Sequence, residues 1–163
     1  MYKLIKIAFI ALLVFIGMLY YVLRTKVTEV SGQEPYSAIV NKTVTLKRQA
    51  FIAFNVEWNA YDNPYLICES DSDFLSEVGT KYLLPIGTAL TITEANIYTN
   101  GTSGFSSAYI LGTVYVKELK KEVAFEYRWG KQQVVIYGDA IDYWTFPLAI
   151  WQEKVLQGKF YFE

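Results

Sequence analysis

The stretch "YLLPIGTALTITEA", residues 82–95, places a turn directly in front of a strand with strict alternation. Proline presets φ at Pro85 and glycine permits a positive φ at Gly87, which is the residue pattern of a tight turn. From Thr88 onward, apolar side chains alternate with threonines, as they do in a strand that buries one face. The stretch therefore predicts a sharp corner that leads into a half-buried strand.

Further short strands are predicted on both sides of this corner. Before it, apolar or alternating runs separated by turn residues cover 43–48, 50–58 and 65–68. After it, a long run covers 108–119, and Gly112 within it indicates a bulge or a bend. The chain also contains 14 Tyr and 10 Phe, and aromatic side chains favour pleated sheets. Pattern and composition together predict a mainly β domain.

The sequence "EVAFEYRWGKQQVVIYG", residues 122–138, is predicted to form a β-hairpin with a tight turn at Gly130 and Lys131. In this register the first arm has an apolar face and a polar face. The apolar face carries Val123, Phe125, Tyr127 and Trp129. The polar face carries Glu126 and Arg128, which are interpreted either as a surface ion pair or as part of an interface.

The candidate interface is centred on Arg128, because Arg, Tyr and Trp are enriched among binding hot spots. It comprises Arg128, Glu126, Tyr137, Tyr143 and Trp144. The last two belong to the apolar segment 139–151, which is expected either to fill the core or to present an adhesive patch.

The C-terminal part is predicted to hold a short helix. Pro147 suits a first-turn position and Gly158 suits the position after the last turn. Between them, apolar residues recur at helical spacing, and residues 159–162 follow as a short strand.

These elements predict a mainly β fold in which an N-terminal transmembrane helix precedes a small antiparallel β-barrel or bent sheet with a short C-terminal helix. The corner "YLLPIGTALTI" resembles the strand corner of bacterial SH3-like barrels, where the pattern x-x-L-P-x-G-T-x-L-x-I ends one loop and begins a core strand. The resemblance implies an SH3-like barrel. It covers only residues 82–92, and the opening and closing strands typical of that family are absent, so it implies no binding residues.

The N-terminal segment is predicted to be an uncleaved membrane anchor. Residues 7–23 carry no charge, and with Leu4 and Ile5 they reach the length needed to cross a bilayer. No small-x-small motif follows, which argues against a cleaved signal peptide. The short basic tail before the span is typical of a signal-anchor. We therefore expect a single-pass protein of the bacterial inner (cytoplasmic) membrane, with its C-terminal domain in the periplasm or outside the cell.

The predicted organisation is a signal-anchor at 1–24, a polar linker at 25–37 and an extracytoplasmic β-rich domain at 38–163. Contact with the lipid bilayer is expected through residues 4–23. The linker is assigned on its polar composition and on its glycine and proline.

The amino-acid composition argues against several classes of function. The chain has no histidine, which removes the commonest general base and metal ligand. A net charge of -1 without a basic stripe argues against nucleic-acid binding. The single cysteine, Cys68, ends an apolar run and is interpreted as a small buried hydrophobe rather than a reactive thiol. We expect no enzymatic activity, no cofactor and no metal.

Two groups of carboxylates have functional alternatives. The acidic run 69–77 lacks the central glycine of a calcium loop, so helix capping is favoured there. Asp139 and Asp142 lie close to Trp144, and paired carboxylates beside aromatic rings are also found in glycan-cleaving enzymes. Aspartates directly after a strand are equally typical of a turn.

The function favoured by the sequence is that of a membrane-anchored, non-catalytic envelope protein whose β-domain binds another protein. Its concrete form is an immunity protein that neutralises a toxin in the periplasm. The alternative is a structural subunit of a multi-protein envelope complex, such as a secretion or division assembly. An envelope enzyme acting through Asp139 and Asp142 is the third hypothesis. No residue pattern identifies the protein partner.

Overall fold

The computed structural model describes residues 2–54, 61–69, 80–135 and 141–162. Within these ranges the chain is mainly β, as predicted, and one apolar helix precedes the strands. The helix, α1, covers Tyr2–Leu23. The strands are β1 Lys26–Glu29, β2 Lys42–Thr45, β3 Ala50–Phe54, β4 Tyr65–Cys68, β5 Thr80–Leu84, β6 Ala89–Thr99, β7 Ser106–Val116, β8 Lys121–Arg128, β9 Lys131–Gln133 and β10 Tyr143–Thr145.

Eight of the described strands form one sheet in the order β1-β6-β7-β8-β4-β3-β5, and β2 also pairs with β6. All these pairs are antiparallel except β4 with β8, which is parallel. β2 pairs with β6 near one end of this order, whereas β3 lies near the other end. Only residues 46–49 connect the two strands, so the sheet must curl to bring them together. It is nevertheless not closed into a barrel, so the closed barrel implied by the SH3-like resemblance is not found.

The corner at residues 85–88 has the predicted geometry. Gly87 has a φ of 90°, and the N–H of Thr88 donates to the carbonyl oxygen of Pro85 over 3.1 Å. Beyond the corner, Leu90 and Ile92 are fully buried, whereas the threonines between and after them are exposed. The half-buried strand predicted from the alternation is therefore confirmed.

The core lies on the predicted apolar face of β8. Its four predicted members, Val123, Phe125, Tyr127 and Trp129, are all at most 5% exposed. Trp129 contacts Tyr36 and Trp151 with ring centroids 5.7 and 5.4 Å apart, both in edge-to-face geometry. Offset and edge-to-face contacts are the preferred arrangements of aromatic rings, so the core is held largely by aromatic packing.

The predicted hairpin at 122–138 is not formed. β8 pairs along its whole length with β7, from Tyr109 opposite Arg128 to Val116 opposite Lys121. β9 pairs instead with β10 in a separate two-stranded sheet. β7 is the longer and more apolar partner for β8, and the chain departs at Gly130, whose φ is 125°.

The predicted C-terminal helix is also absent, since residues 147–158 contain only turns and bends. Their carbonyl groups bond to other parts of the chain. The oxygen of Pro147 accepts from Nε1 of Trp129 at 2.9 Å, and that of Ile150 accepts from the N–H of Lys47 at 2.8 Å. Ala149, Ile150 and Trp151 are buried, so this part of the segment covers the core without regular secondary structure. The predicted strand at 159–162 is reduced to a single bridge between Phe160 and Trp144.

The segment predicted to be a linker, 25–37, is packed into the sheet and the core. β1 begins at Lys26 and pairs with β6. Val30 is 1% exposed and Tyr36 is completely buried. The described domain therefore starts immediately after α1 rather than at residue 38.

Helix α1 is long and apolar enough to cross a membrane. Its window Ile5–Leu23 spans 19 residues with a mean hydropathy of 2.3. The large apolar side chains described in it are exposed, from 44% for Leu23 to 76% for Tyr20, so they do not pack on the sheet. An anchor and an N-terminal signal sequence both have these properties.

Candidate functional site

The five residues of the predicted interface are not brought together as one surface. Glu126 is completely buried, and its carboxylate accepts hydrogen bonds from three successive backbone N–H groups. The hydrogen bonds from the N–H groups of Tyr61 and Asn63 are both 2.8 Å long, and the N–H of Asp62 donates the third. Glu126 therefore fastens the segment 61–63 to the sheet and does not form the surface ion pair considered above.

The other predicted interface residues have separate surroundings. Arg128 is exposed at the end of β8. Trp144 is 5% exposed and packs against Phe162, so its ring belongs to the core. Tyr143 is half-buried, with Nζ of Lys159 4.3 Å from its ring centroid. Tyr137 lies outside the described residues.

A cluster of tyrosines lies beside Glu126 on the other face of the sheet. Tyr61 stacks on Tyr98 with centroids 4.1 Å apart, and Tyr109 contacts both rings edge-on. Tyr98 and Tyr109 are each 2% exposed, and burial raises the pKa of Tyr109 to about 12. The hydroxyl of Tyr98 donates to the carboxylate of Asp62. The cluster and Glu126 thus form one polar and aromatic unit that holds the segment 61–63.

The sequence carried no signal for this unit. Tyr61, Asp62 and Asn63 lie in the stretch NAYDNP, residues 59–64, whose composition is typical of a turn, and their acceptor lies 63 to 65 residues further along the chain. Nothing local distinguishes Glu126 from an exposed glutamate of a strand.

The carboxylates and the cysteine considered above for catalysis, ion binding or thiol chemistry lie in structural contacts where the structure describes them. Asp142 accepts from the N–H of Val135 at 2.9 Å and from Nε2 of Gln132 at 3.2 Å, which fixes the short β9–β10 sheet. Asp139 lies outside the described residues, as do residues 70–77 of the acidic run. Cys68 is half-buried beside a shallow cavity of about 260 Å³, and burial raises its thiol pKa to about 11.

A concave surface lies at the corner formed by residues 85–88. It is a groove of about 430 Å³ between residues 83–89 and the end of β7 with the following turn. We call it the corner groove. Its other wall consists of Tyr115, Lys117 and Glu118.

Large apolar side chains stand exposed along the corner groove. Leu83 is 42%, Ile86 67% and Tyr115 56% exposed. Scattered exposed apolar residues are normal on a protein surface, but several lining one concavity are typical of a binding site. Lys117 and Glu118 add one charge of each sign to its wall.

A strand edge adjoins the groove. β5 stands last in the sheet order, and among the described strands only β3 pairs with it. An edge strand offers backbone N–H and C=O groups with which an extended segment of another chain can pair. The arrangement can therefore bind a peptide segment through backbone hydrogen bonds and apolar contacts.

The described residues offer no evident centre for metal chemistry, because they contain no group of three or more Cys, Asp or Glu side chains placed to hold an ion. Compared with known proteins, the chain matches no family model, no curated protein and no solved structure.

Proposed function

We propose that this protein is a membrane-anchored, non-catalytic protein of the bacterial envelope whose β-domain binds another protein at the corner groove. In this proposal α1 crosses the inner membrane once, and the domain lies in the periplasm or outside the cell. The concrete role is that of an immunity protein, which binds an incoming toxin and neutralises it. The observation that carries the proposal is the exposed apolar lining of the corner groove.

The groove suits a protein rather than a small molecule. Its lining residues Leu83, Ile86 and Tyr115 are large, exposed and open to solvent, whereas small-molecule sites bury most of their ligand. The adjacent edge of β5 adds backbone groups, which recognise an extended chain independently of its side chains. Strand addition followed by insertion of apolar side chains into the groove is the binding mode that this combination supports.

The anchoring part of the proposal is supported by α1. Its length and mean hydropathy suit a membrane span, and the apolar side chains described in it are exposed rather than buried on the sheet. Burial in lipid removes that apolar area from water, and this is the driving force for insertion. The short basic tail before the span, which is typical of a signal-anchor, supports the outward orientation.

A site-specific cross-linking experiment tests the binding function. A photoreactive phenylalanine analogue replaces Ile86 in the full-length protein, and cross-linking is done in native membranes challenged with periplasmic extract or culture supernatant. The matched control carries the analogue at Tyr161, which is 55% exposed outside the groove. A stoichiometric adduct at position 86 that is absent at 161, and is lost on Tyr115→Asp, supports the proposal. Equal adducts at both positions, or none at 86, contradict it.

The alternative of a structural subunit rests on the lipid-facing surface of α1, which is free to pack against other spans. Replacing residues 2–23 by an unrelated apolar span separates the two functions. Groove-dependent cross-linking survives the exchange if the domain is the binding unit. Loss of the complex after the exchange, with the groove intact, favours the subunit.

A further inference from the structure

Only Arg24 and Thr25 separate helix α1 from the first strand of the sheet. Arg24 continues the helix by donating its N–H to the oxygen of Tyr20 over 3.1 Å, and β1 begins at Lys26. β1 then pairs with the end of β6, with Lys26 opposite Thr99. Consequently the tip of the β6–β7 hairpin, residues 100–105, lies beside the end of the helix.

The hairpin tip is in close contact with the backbone of α1. A Cβ atom at Gly101 would lie 2.5 Å from the carbonyl oxygen of Arg24 and 2.6 Å from that of Val22. Real Cβ atoms essentially never approach so closely, so only glycine allows this contact. The tip therefore has a defined position relative to the helix end.

The tip is also internally ordered and presents one large apolar side chain. Oδ1 of Asn100 accepts from the N–H groups of Thr102 and Ser103, both at 2.9 Å. The N–H of Asn100 donates to the oxygen of Phe105 over 2.9 Å. Phe105 is 69% exposed, although the hairpin around it is well bonded.

We propose that Phe105 inserts into the headgroup–acyl boundary of the same bilayer that α1 crosses, so that the domain touches the membrane at a second point. Exposed Phe, Trp and Leu side chains of interfacial segments are buried at this boundary. The helix end at the same level carries Arg24 and Lys26, both exposed, and cations there attract anionic lipid headgroups. The inference rests on the proposed membrane anchor, but it adds a contact that the anchor alone does not require.

The contact would fix the direction in which the domain faces. β6 runs from Thr99 beside the helix end to Ala89 at the corner, 11 residues in all. At a rise of about 3.3 Å per residue, the corner groove lies about 30 Å from the helix end along this strand. A domain held at two points would thus present the groove away from the lipid, where a soluble partner can reach it.

Spin labels on the full-length protein test this contact. In a Cys68→Ala background, nitroxides are placed singly by Leu13→Cys, Phe105→Cys and Ile86→Cys, and the protein is reconstituted into vesicles of phosphatidylethanolamine and phosphatidylglycerol. Power saturation then compares the access of oxygen, which concentrates in lipid, with that of a water-soluble nickel chelate. Leu13 reports on the span, and Ile86 reports on the distant corner.

The proposal expects a high oxygen-to-nickel ratio at 13, an intermediate ratio at 105 and an aqueous ratio at 86. A value at 105 equal to that at 86, with 13 in lipid, overturns the second contact and leaves the anchor intact. Aqueous values at all three positions overturn both. In vesicles of phosphatidylcholine alone, a lower ratio at 105 attributes part of the contact to the anionic headgroups, and an unchanged ratio shows that the contact does not require them.

Discussion

The hydroxyl of Tyr36 donates a buried hydrogen bond of 3.0 Å to the carbonyl oxygen of Trp129, 93 residues further along the chain. The bond joins the segment after β1 to the point where the chain leaves β8. The same hydroxyl would lie 3.2 Å from a Cβ atom at Gly130, so the chain passes close to Tyr36 as it turns. The polar stretch behind the helix is thus part of the core.

Tyr36→Phe should lower the free energy of unfolding by about 1–2 kcal/mol, because the buried carbonyl of Trp129 loses its donor. The change is measured by urea denaturation of the full-length protein in detergent micelles. Tyr161→Phe is the control, since Tyr161 is 55% exposed, and it should leave the midpoint unchanged. Equal midpoints for both variants would show that the hydrogen bond contributes nothing.

Glu126→Gln should destabilise the protein by about 2–4 kcal/mol, because a neutral amide has one acceptor oxygen for three N–H groups and turns its own NH₂ towards them. Cleavage by chymotrypsin next to Tyr61 should become faster as the segment 61–63 is released. Glu122→Gln on the same strand is the control, since Glu122 is exposed. Unchanged cleavage at Tyr61 would contradict the role assigned to Glu126.

Gly112→Ala should destabilise the sheet by about 2–4 kcal/mol through steric overlap. A Cβ atom at this position would lie 2.2 Å from the carbonyl oxygen of Thr91 and 3.1 Å from the ring of Phe125. Beside Gly112, the register between β6 and β7 shifts between Ile92 and Glu94. The bulge or bend predicted at Gly112 therefore lies opposite it, on β6. Gly32→Ala has free space around it and should be neutral in the same denaturation assay.

Stability should fall steeply at alkaline pH. Burial raises the pKa of Tyr36 and Tyr127 far above its ordinary value and that of Tyr109 to about 12. Because these folded-state values are raised, the unfolded chain releases the protons first, and stability is lost as the pH rises above about 10. The loss should be about 1.4 kcal/mol per pH unit for each of these tyrosines.

Urea midpoints between pH 8 and 11, together with tyrosinate absorbance, measure this loss. Tyr109→Phe should make the decline shallower by the contribution of one group. A midpoint that stays constant from pH 9 to 11 would show that these side chains ionise normally in the folded protein.

Cys68 should react slowly with alkylating reagents. Because burial raises its thiol pKa to about 11, the reactive thiolate is scarce at pH 8. The alkylation rate of the folded protein should still be rising between pH 9 and 11. In 6 M guanidinium chloride the rate should level off above the ordinary thiol pKa of about 8.5. A folded-state rate that is already constant at pH 9 would contradict the raised pKa.

Neighbouring residues were sufficient to predict the elements that depend on local patterns. Alternation and turn chemistry predicted the corner at Pro85 and Gly87, the buried Leu90 and Ile92 of β6 and the apolar face of β8. Length and hydropathy predicted a helix able to span a membrane. These features depend on each residue's own backbone preference and on which face of its element it occupies, so neighbouring residues suffice to specify them.

The pairing of these elements depends instead on contacts between distant parts of the chain. The sequence favoured a hairpin of β8 with the chain after Gly130, but β7 provides a longer apolar partner, and strand pairing follows the total contact that is available. Residues 147–158 had helical spacing, yet their carbonyls accept hydrogen bonds from the core and from the segment after β2. Glu126 and Tyr36 looked like surface and linker residues because their partners are distant in sequence. Contacts of that separation depend on the whole chain being folded, and no local pattern encodes them.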